Sequence, residues 1–197
     1  GIGGRQMFKA ETPGPMKDSK MTPRIAETAK GLWLVYLGVS VACIVGYRWA
    51  GMTWFDAVCH GFSTMGLGGF STHDASFGYF DSPAIEFVAI VFMFIAGMNF
   101  GTLFLAVSGR SLRPYLHDPE AGWFVGICFI SIFFVAIYVW KDGMYADLDT
   151  AVRHTAFNLM SIATTTGFAS VDFAQWPIFA PLWMLFLSSF ATSAGST

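Results

Sequence analysis

The chain has 197 residues, of which 54% are hydrophobic and only 12% are charged, and its formal net charge is -2. A soluble domain carries about a quarter charged residues. The composition therefore excludes an ordinary water-soluble domain and indicates a membrane protein.

The first thirty residues are polar and basic. They contain no initiating Met, no apolar signal core and no cleavage site, so we expect an internal segment and not a targeting peptide. Basic residues near the ends of membrane spans stay preferentially in the cytoplasm. Residues 1–30 are therefore predicted to form a cytoplasmic segment with an amphipathic lead-in, on the same side as the loop that carries Arg110 and Arg113.

Three nearly uncharged stretches predict membrane spans. Each is about long enough to cross a roughly 30 Å hydrocarbon layer, although the first is slightly short. They are Leu32–Tyr47, Pro83–Val107 and Gly122–Trp140. A fourth apolar run starts at Pro181 and is still continuing where the sequence stops, so we expect the chain to be a fragment that ends within a span.

Two short amphipathic segments, Trp54–Thr64 and Ala151–Ile162, lie between the predicted spans. At about 1.5 Å per residue each reaches only halfway through a bilayer. They are therefore predicted to be re-entrant half-helices, each followed by a non-helical return, LGGFSTHD or TTTGFASVD. Irregular backbone at membrane depth is tolerated only where it is buried in protein or lines a water-filled cavity.

The second half of the chain repeats the first at a shift of 98 residues without a gap. The matches fall mainly on Gly, Pro and Asp, which mark backbone events, and not merely on Leu and Val. They include Ser63/Ser161, Gly69-Phe70/Gly167-Phe168, Asp74/Asp172, Pro83/Pro181 and Ala96-Gly97/Ala194-Gly195. The repeat predicts two units, each built as span, half-helix, returning loop and span.

The returning loops have the composition of a cation site. Thr favours extended backbone and Gly permits positive φ, which allows carbonyl oxygens to turn inward. Rings of such carbonyls replace the hydration shell of a cation. A half-helix that enters from outside would also direct its partly negative C-terminal end at the pore, which favours a cation over an anion.

At these residues the chain resembles the potassium-translocating subunit of Trk-type bacterial uptake systems, in the superfamily shared with the Ktr and plant HKT transporters. The resemblance covers essentially the whole chain. It rests on AETPGPMKDSKMTPRIAETAK before the first span, GGFSTHDASFGYFDSPAIE after the first half-helix, FMFIAGMNF in the second span, and ATTTGF followed by AGST.

The resemblance implies an all-α polytopic membrane protein of the potassium-channel-like type, with four units of span, re-entrant pore helix, filter loop and span around one pore. Residues 31–108 then correspond to the second unit, 109–120 to a cytoplasmic linker, and 121–197 to a third unit truncated in its closing span. Two units are missing, so we expect the chain to be unable to enclose a pore by itself.

Specific site residues follow from the same resemblance. K⁺ is the expected transported ion, with no organic cofactor. The filter residues would be Leu67, Gly68, Gly69, Thr165, Thr166 and Gly167. We assign filter-supporting roles to Ser63, Phe70, Asp74, Ser161, Phe168 and Asp172. The two Asp residues are expected to anchor the returning loops.

The last apolar run contrasts with its counterpart in the other unit. AGMNFGTLFLAV in the second span is predicted to continue as a good helix, whereas ATSAGST should loosen because Ser, Thr and Gly weaken a helix interior. In the resembling family this position forms an intramembrane gate. Ala194, Gly195 and Ser196 are therefore the expected gate residues; close helix packing of small residues is the alternative.

The resemblance also implies partners and location. We expect the bacterial inner membrane with its lipid, a homodimer, and a cytosolic nucleotide-binding regulatory subunit, but no nucleic acid. The basic inner segments from Lys17 to Lys30 and around Arg110 are the expected contact surfaces for that subunit.

Other polar residues leave alternatives open. His60 and Asn158 are expected either to line a vestibule or to bond neighbouring backbone, and Glu86 either to satisfy the start of its helix or to attract cations. For Asn99, we expect an interhelical hydrogen bond in preference to an ion site.

A second function class is a polytopic membrane enzyme with His60, His73 and Asp74 as acid-base groups. The repeat argues against it, because Val171 replaces His73 in the other copy.

Overall fold

The computed structural model of the chain describes residues 25–111, 113–116 and 119–191, and all regular structure in these ranges is helical. The helices are α1 (Ile25–Ala50), α2 (Trp54–Met65), α3 (Pro83–Gly97), α4 (Phe100–Gly109), α5 (Arg113–Leu116), α6 (Pro119–Lys141), α7 (Leu148–Ala163) and α8 (Phe179–Ala191). Single-turn 3₁₀ helices occur at Ser76–Tyr79 and Phe173–Gln175.

The helices form two successive units of the same design. In the first unit the long helix α1 is followed by the short helix α2, an irregular return and α3. In the second unit α6, α7 and α8 follow in the same order. Helices α1 and α6 are long and apolar enough to cross a membrane, and both extend beyond the predicted spans at each end. The prediction of repeated units with short half-helices is confirmed.

The prediction that Pro83–Val107 forms one continuous helix is wrong. The segment breaks after Gly97 into α3 and α4, whose axes differ by 99°. Met98 and Asn99 adopt extended backbone, and the side-chain oxygen Oδ1 of Asn99 accepts hydrogen bonds from the amides of Gly101 (2.8 Å) and Thr102 (3.4 Å). Asn99 is therefore the N-cap of a new helix.

Side-chain caps also fix where the two short helices begin. The hydroxyl of Thr53 accepts a hydrogen bond from the Asp56 amide at 3.1 Å, and the Asp147 carboxylate accepts one from the Thr150 amide at 2.8 Å. Such caps satisfy amides that have no partner within the helix. Both short helices thus have defined starts, and their last turns lead directly into the returning loops.

The two units meet on the aromatic ring of Phe77, which is fully buried. Its centroid lies 4.9 Å from that of Phe157 in α7 and 4.6 Å from that of Phe168 in the second returning loop. Backbone bonding reinforces this seam, because the Gly78 amide donates to the Ala169 carbonyl at 3.2 Å. The seam holds the two returning loops side by side.

Two sequence predictions concern residues outside the described ranges. The predicted gate residues Ala194, Gly195 and Ser196, and residues 1–24 of the cytoplasmic segment, lie outside the described residues.

The cap at the helix break can be tested by mutation in the full-length parent protein. Asn99→Ala removes the acceptor for two amides, so the free energy of unfolding should fall by about 1 kcal/mol. Asn99→Ser keeps a capping oxygen, so the free energy of unfolding should fall by less. Thermal unfolding in detergent measures the difference, and equal melting temperatures for the two variants would contradict the capping role.

The charge asymmetry predicts which end of each helix faces the cytoplasm. Asp142 lies between α6 and α7, Ser108 lies near the end of α4, and both are exposed. In the parent protein, an impermeant thiol reagent should label Asp142→Cys on intact cells and Ser108→Cys only after permeabilisation. The opposite pattern would reverse the topology.

Candidate ion-binding loops

The returning loops share an unusual alternation of backbone conformation. Leu67 and Gly69 in the first loop have φ of 49° and 67°, and Thr165 and Gly167 in the second have φ of 59° and 91°. These are the same positions under the 98-residue shift. Positive φ also occurs at Ser76, Asp81 and Arg110, but Leu67 and Thr165 are the only non-glycine pair related by the shift in the described residues.

Positive φ costs a non-glycine residue roughly 1–2 kcal/mol. Such strain persists only where the surroundings over-determine it, and it clusters at functional sites. Alternating positive φ also places successive carbonyl oxygens on one side of the chain, whereas a regular extended strand alternates them. Sequence reasoning named Leu67 and Thr165 as filter residues but anticipated positive φ only at the glycines, since a β-branched or bulky residue gives no signal of left-handed backbone.

The amides of both loops bond back to the ends of their own helices. In the first loop the Gly68 amide donates to the Ser63 carbonyl, and in the second the Thr166 amide donates to the Ser161 carbonyl, both at 2.8 Å. In contrast, the carbonyl oxygens from Leu67 to Gly69 and from Thr165 to Gly167 accept no hydrogen bond from any described residue. These six oxygens are free to bind a cation.

The two loops touch at their glycines. A Cβ atom built on Gly69 would overlap the Thr166 carbonyl oxygen and lie 3.1 Å from the Gly167 carbonyl carbon. A Cβ atom on Gly167 would meet open space. Gly69 is therefore required for close approach as well as for its φ, while Gly167 is required for its φ alone.

Two serines at equivalent positions of α2 and α7 differ in their bonding. The Ser161 hydroxyl donates to the Phe168 carbonyl at 2.7 Å. The Ser63 hydroxyl is buried and has no partner among the described residues. Ser161 thus fixes the end of the second loop by a direct hydrogen bond.

The phenylalanines that follow the loop glycines lie in opposite environments. Phe168 is fully buried against Phe77 of the preceding unit, whereas Phe70 is 81% exposed. The repeat makes the two positions equivalent, so the exposed Phe70 marks the face on which a preceding unit would pack.

Side chains on the short helices tie down the returning loops. The Thr72 hydroxyl donates to the Asp56 carboxylate at 2.6 Å. At the equivalent positions, His154 Nδ1 lies 3.2 Å from the Ser170 hydroxyl. The sequence analysis did not single out these pairs, although the 98-residue shift aligns both members of each.

His60 and Asn158 are fully buried and bond nearby groups. His60 Nδ1 lies 2.8 Å from the Asp56 carbonyl and Nε2 lies 2.9 Å from the Ser71 hydroxyl. The Asn158 amide group donates to the His154 carbonyl and the Ser170 hydroxyl. Of the two alternatives from the sequence, both side chains therefore bond neighbouring groups, and neither lines a vestibule.

The two Asp residues expected to anchor the loops are unalike. The Asp172 carboxylate accepts a hydrogen bond from the Ala174 amide at 3.1 Å and caps a 3₁₀ turn. Asp74 is exposed, and Asp56 supplies the carboxylate that holds the first loop. The neighbouring His73 stacks on Tyr79, with ring centroids 3.5 Å apart.

Glu86 does not face the solvent. Its side chain is 2% exposed, and both carboxylate oxygens accept from the Arg153 guanidinium, at 2.7 and 2.9 Å. Of the two roles left open for Glu86, cation attraction is the less favoured, because its charge is already paired with that of Arg153. At the start of α7, the hydrogen bond from the Thr150 amide lowers the pKa of the Asp147 carboxyl.

The helix break lies directly beside the second loop. A Cβ atom on Gly97 would lie 2.7 Å from Cγ2 of Thr164, and the Thr164 hydroxyl bonds the Thr166 hydroxyl at 2.7 Å. Gly97 thus allows the end of α3 to pack closely under the loop.

Comparison with known proteins connects this geometry to a family. A family model described as TrkH, cation transport protein, matches residues 1–197. The chain belongs to the TrkH cation transport family. Membership of a cation transport family places the chain in a multi-pass membrane protein and counts against the acid-base alternative built on His60, His73 and Asp74.

Individual relatives agree. The chain is 46% identical over its whole length to the Trk system potassium uptake protein TrkH of Escherichia coli K12, and 42% identical to TrkG of the same strain. It spans 41% and 40% of those two proteins. The crystal structure of the potassium transporter TrkH from Vibrio parahaemolyticus superposes with a TM-score of 0.82 at 43% identity, covering 90% of this chain and 39% of that one.

The contact between the loops predicts unequal effects of two alanine substitutions. In the full-length parent, Gly69→Ala adds steric overlap to a conformational cost of about 1 kcal/mol, whereas Gly167→Ala adds the conformational cost alone. Gly69→Ala should therefore lower the melting temperature more in detergent. The reverse order would show that the loops do not touch as described.

Proposed function

We propose that the parent protein of this chain takes up K⁺ across the bacterial inner membrane through a pore of four such units. In this proposal the chain supplies the second unit and most of the third, and it spans about two fifths of the relatives it matches. Those relatives are named potassium uptake proteins, which supports K⁺ as the transported ion.

The observation that carries the proposal is the pair of adjacent loops with alternating positive φ and free carbonyl oxygens. Each loop contributes Gly69 or Gly167 together with the two residues before it. Carbonyl oxygens from four such loops can replace the hydration shell of a cation. Helices α2 and α7 end immediately before the loops, so their partly negative C-terminal ends favour a cation there.

We propose that Ala194, Gly195 and Ser196 form an intramembrane gate below this filter. Gly195 is equivalent to Gly97 under the repeat, and at Gly97 the first unit breaks its helix beside the second loop. The same break in the second unit would place small residues across the conduction path. Weak helix propensity of the string ATSAGST supports this.

The family resemblance also supports a homodimer and a cytosolic nucleotide-binding regulatory subunit. The exposed basic residue Arg110, at the end of α4, provides a contact surface on the predicted cytoplasmic side. This surface adjoins the helix that follows the break, so a partner bound there could act on α4.

Tracer uptake in cells that lack their own K⁺ uptake systems tests the proposal. The parent protein should support ⁸⁶Rb⁺ or K⁺ entry in preference to Na⁺. Gly167→Ser should lower the K⁺/Na⁺ uptake ratio by about tenfold, because positive φ disfavours the added side chain at a carbonyl ring.

Gly143→Ser is the matched control. Gly143 has φ of 85° and open space around its Cβ position, like Gly167, but lies in the loop between α6 and α7. This variant should keep the wild-type ratio. Equal ratios for wild type and Gly167→Ser would remove Gly167 from the filter.

A further inference from the structure

Arg153 and Glu86 form a partly buried ion pair across the seam between the two units, with side chains 23% and 2% exposed. Arg153 lies in α7, the short helix that carries the second loop, and Glu86 lies in the first turn of α3 of the other unit. Two parallel hydrogen bonds join them, from Nη2 to Oε1 at 2.7 Å and from Nε to Oε2 at 2.9 Å. The same Nη2 also donates to Asp81 at 2.8 Å.

Apart from the ion pair, the seam combines packed aromatic rings with two hydrogen bonds, from the Gly78 amide to the Ala169 carbonyl at 3.2 Å and from the Ala169 amide to the Ser76 hydroxyl at 3.3 Å. Its central contacts are the rings of Phe77, Phe157 and Phe168, and dispersion between rings has little directionality. A bidentate guanidinium–carboxylate pair accepts only a narrow geometry. Loss of Arg153 would leave the buried Glu86 charge without a partner, whereas loss of Glu86 would leave Arg153 paired with Asp81, so we assign the pair a role in alignment more than in stability.

The ion pair has no counterpart in the repeat. The position equivalent to Arg153 is Phe55, and the position equivalent to Glu86 is Met184. The other contacts between the first unit and the second loop include the aromatic contact with Phe77, two hydrogen bonds to Ala169, and the close packing of Gly69 and Gly97 against the loop; none of these involves a charge. The Arg153–Glu86 pair is therefore a specific addition to this seam.

We propose that Arg153 and Glu86 are positioning residues that set the ion selectivity of the second loop by fixing α7 against the neighbouring unit. This proposal rests on the proposed function of the loops as a filter. Helix α7 runs from Leu148 to Ala163 and leads directly into Thr165–Gly167, so a shift of the helix moves the carbonyl oxygens of the loop. Neither residue binds the ion.

The test is tracer uptake by the full-length parent carrying Glu86→Gln, Arg153→Gln or both. Each single variant should lower the K⁺/Na⁺ uptake ratio by about tenfold, and the double variant should be no worse than either, since the two residues act as one unit. Asp81→Asn is the matched control. Asp81 is 78% exposed at its side chain, and its removal should change the ratio by less than about twofold.

The variant Arg153→Lys keeps the test valid if the Gln variants fail to fold. It keeps the charge and loses the bidentate geometry, so the folded protein should still show a reduced ratio. A wild-type ratio in Arg153→Lys and Glu86→Gln, with only a lower melting temperature, would overturn the positioning role. Opposite shifts of uptake at limiting K⁺ for Glu86→Gln and Arg153→Gln would also overturn it, in favour of direct attraction of cations by Glu86.

The outcome also separates this inference from the proposed function. A parent that prefers K⁺, loses the preference with Gly167→Ser and keeps it with both ion-pair variants contradicts only the positioning role. A parent without any preference for K⁺ contradicts the proposed function, and the positioning role falls with it.

Discussion

The structure depends on satisfying non-helical backbone at membrane depth. Two returning loops leave their helices there, and amide groups without a partner would each cost several kcal/mol in hydrocarbon. The chain solves this by turning the amides of Gly68 and Thr166 back onto the last turns of α2 and α7. The carbonyl oxygens from Leu67 to Gly69 and from Thr165 to Gly167 accept no hydrogen bond from the described residues, so the same backbone arrangement leaves them as the candidate ligands of the proposed cation site.

The seam between the units follows from the same requirement. A loop buried in protein needs a partner surface, and the second loop finds it on Phe77 and on the residues that follow it in the first unit. The first loop has no such partner within the described residues, and Phe70 is exposed accordingly. The broken helix adds another contact to the second loop, because Gly97 allows the end of α3 to pack closely against Thr164.

Much of the architecture could be predicted from the sequence because hydrophobic length, the repeat and the Gly-Phe steps are local signals. The short helices begin and end within a few residues of their predicted positions. The helix break at Met98 and Asn99 was missed, because large apolar residues on both sides dominate the pattern and the capping role of Asn99 appears only in three dimensions.

The loops could be predicted only in part. Gly69 and Gly167 are conspicuous, whereas positive φ at Leu67 and Thr165 is imposed by the surrounding contacts and contradicts residue preference. The pairing of Glu86 with Arg153 joins residues 67 positions apart, so no local pattern indicates it. Asp56 was overlooked for the same reason, since its partner Thr72 lies beyond the turn of the loop.

The Arg153–Glu86 pair shows what a duplicated chain can do that an assembly of identical subunits cannot. When subunits are identical, symmetry copies every substitution to every interface. Here Arg153 faces Glu86 at one interface, while the equivalent positions hold Phe55 and Met184. Joining the repeats in one polypeptide therefore lets each interface between units diverge separately, so the interfaces can differ in chemistry while the backbone stays pseudosymmetric.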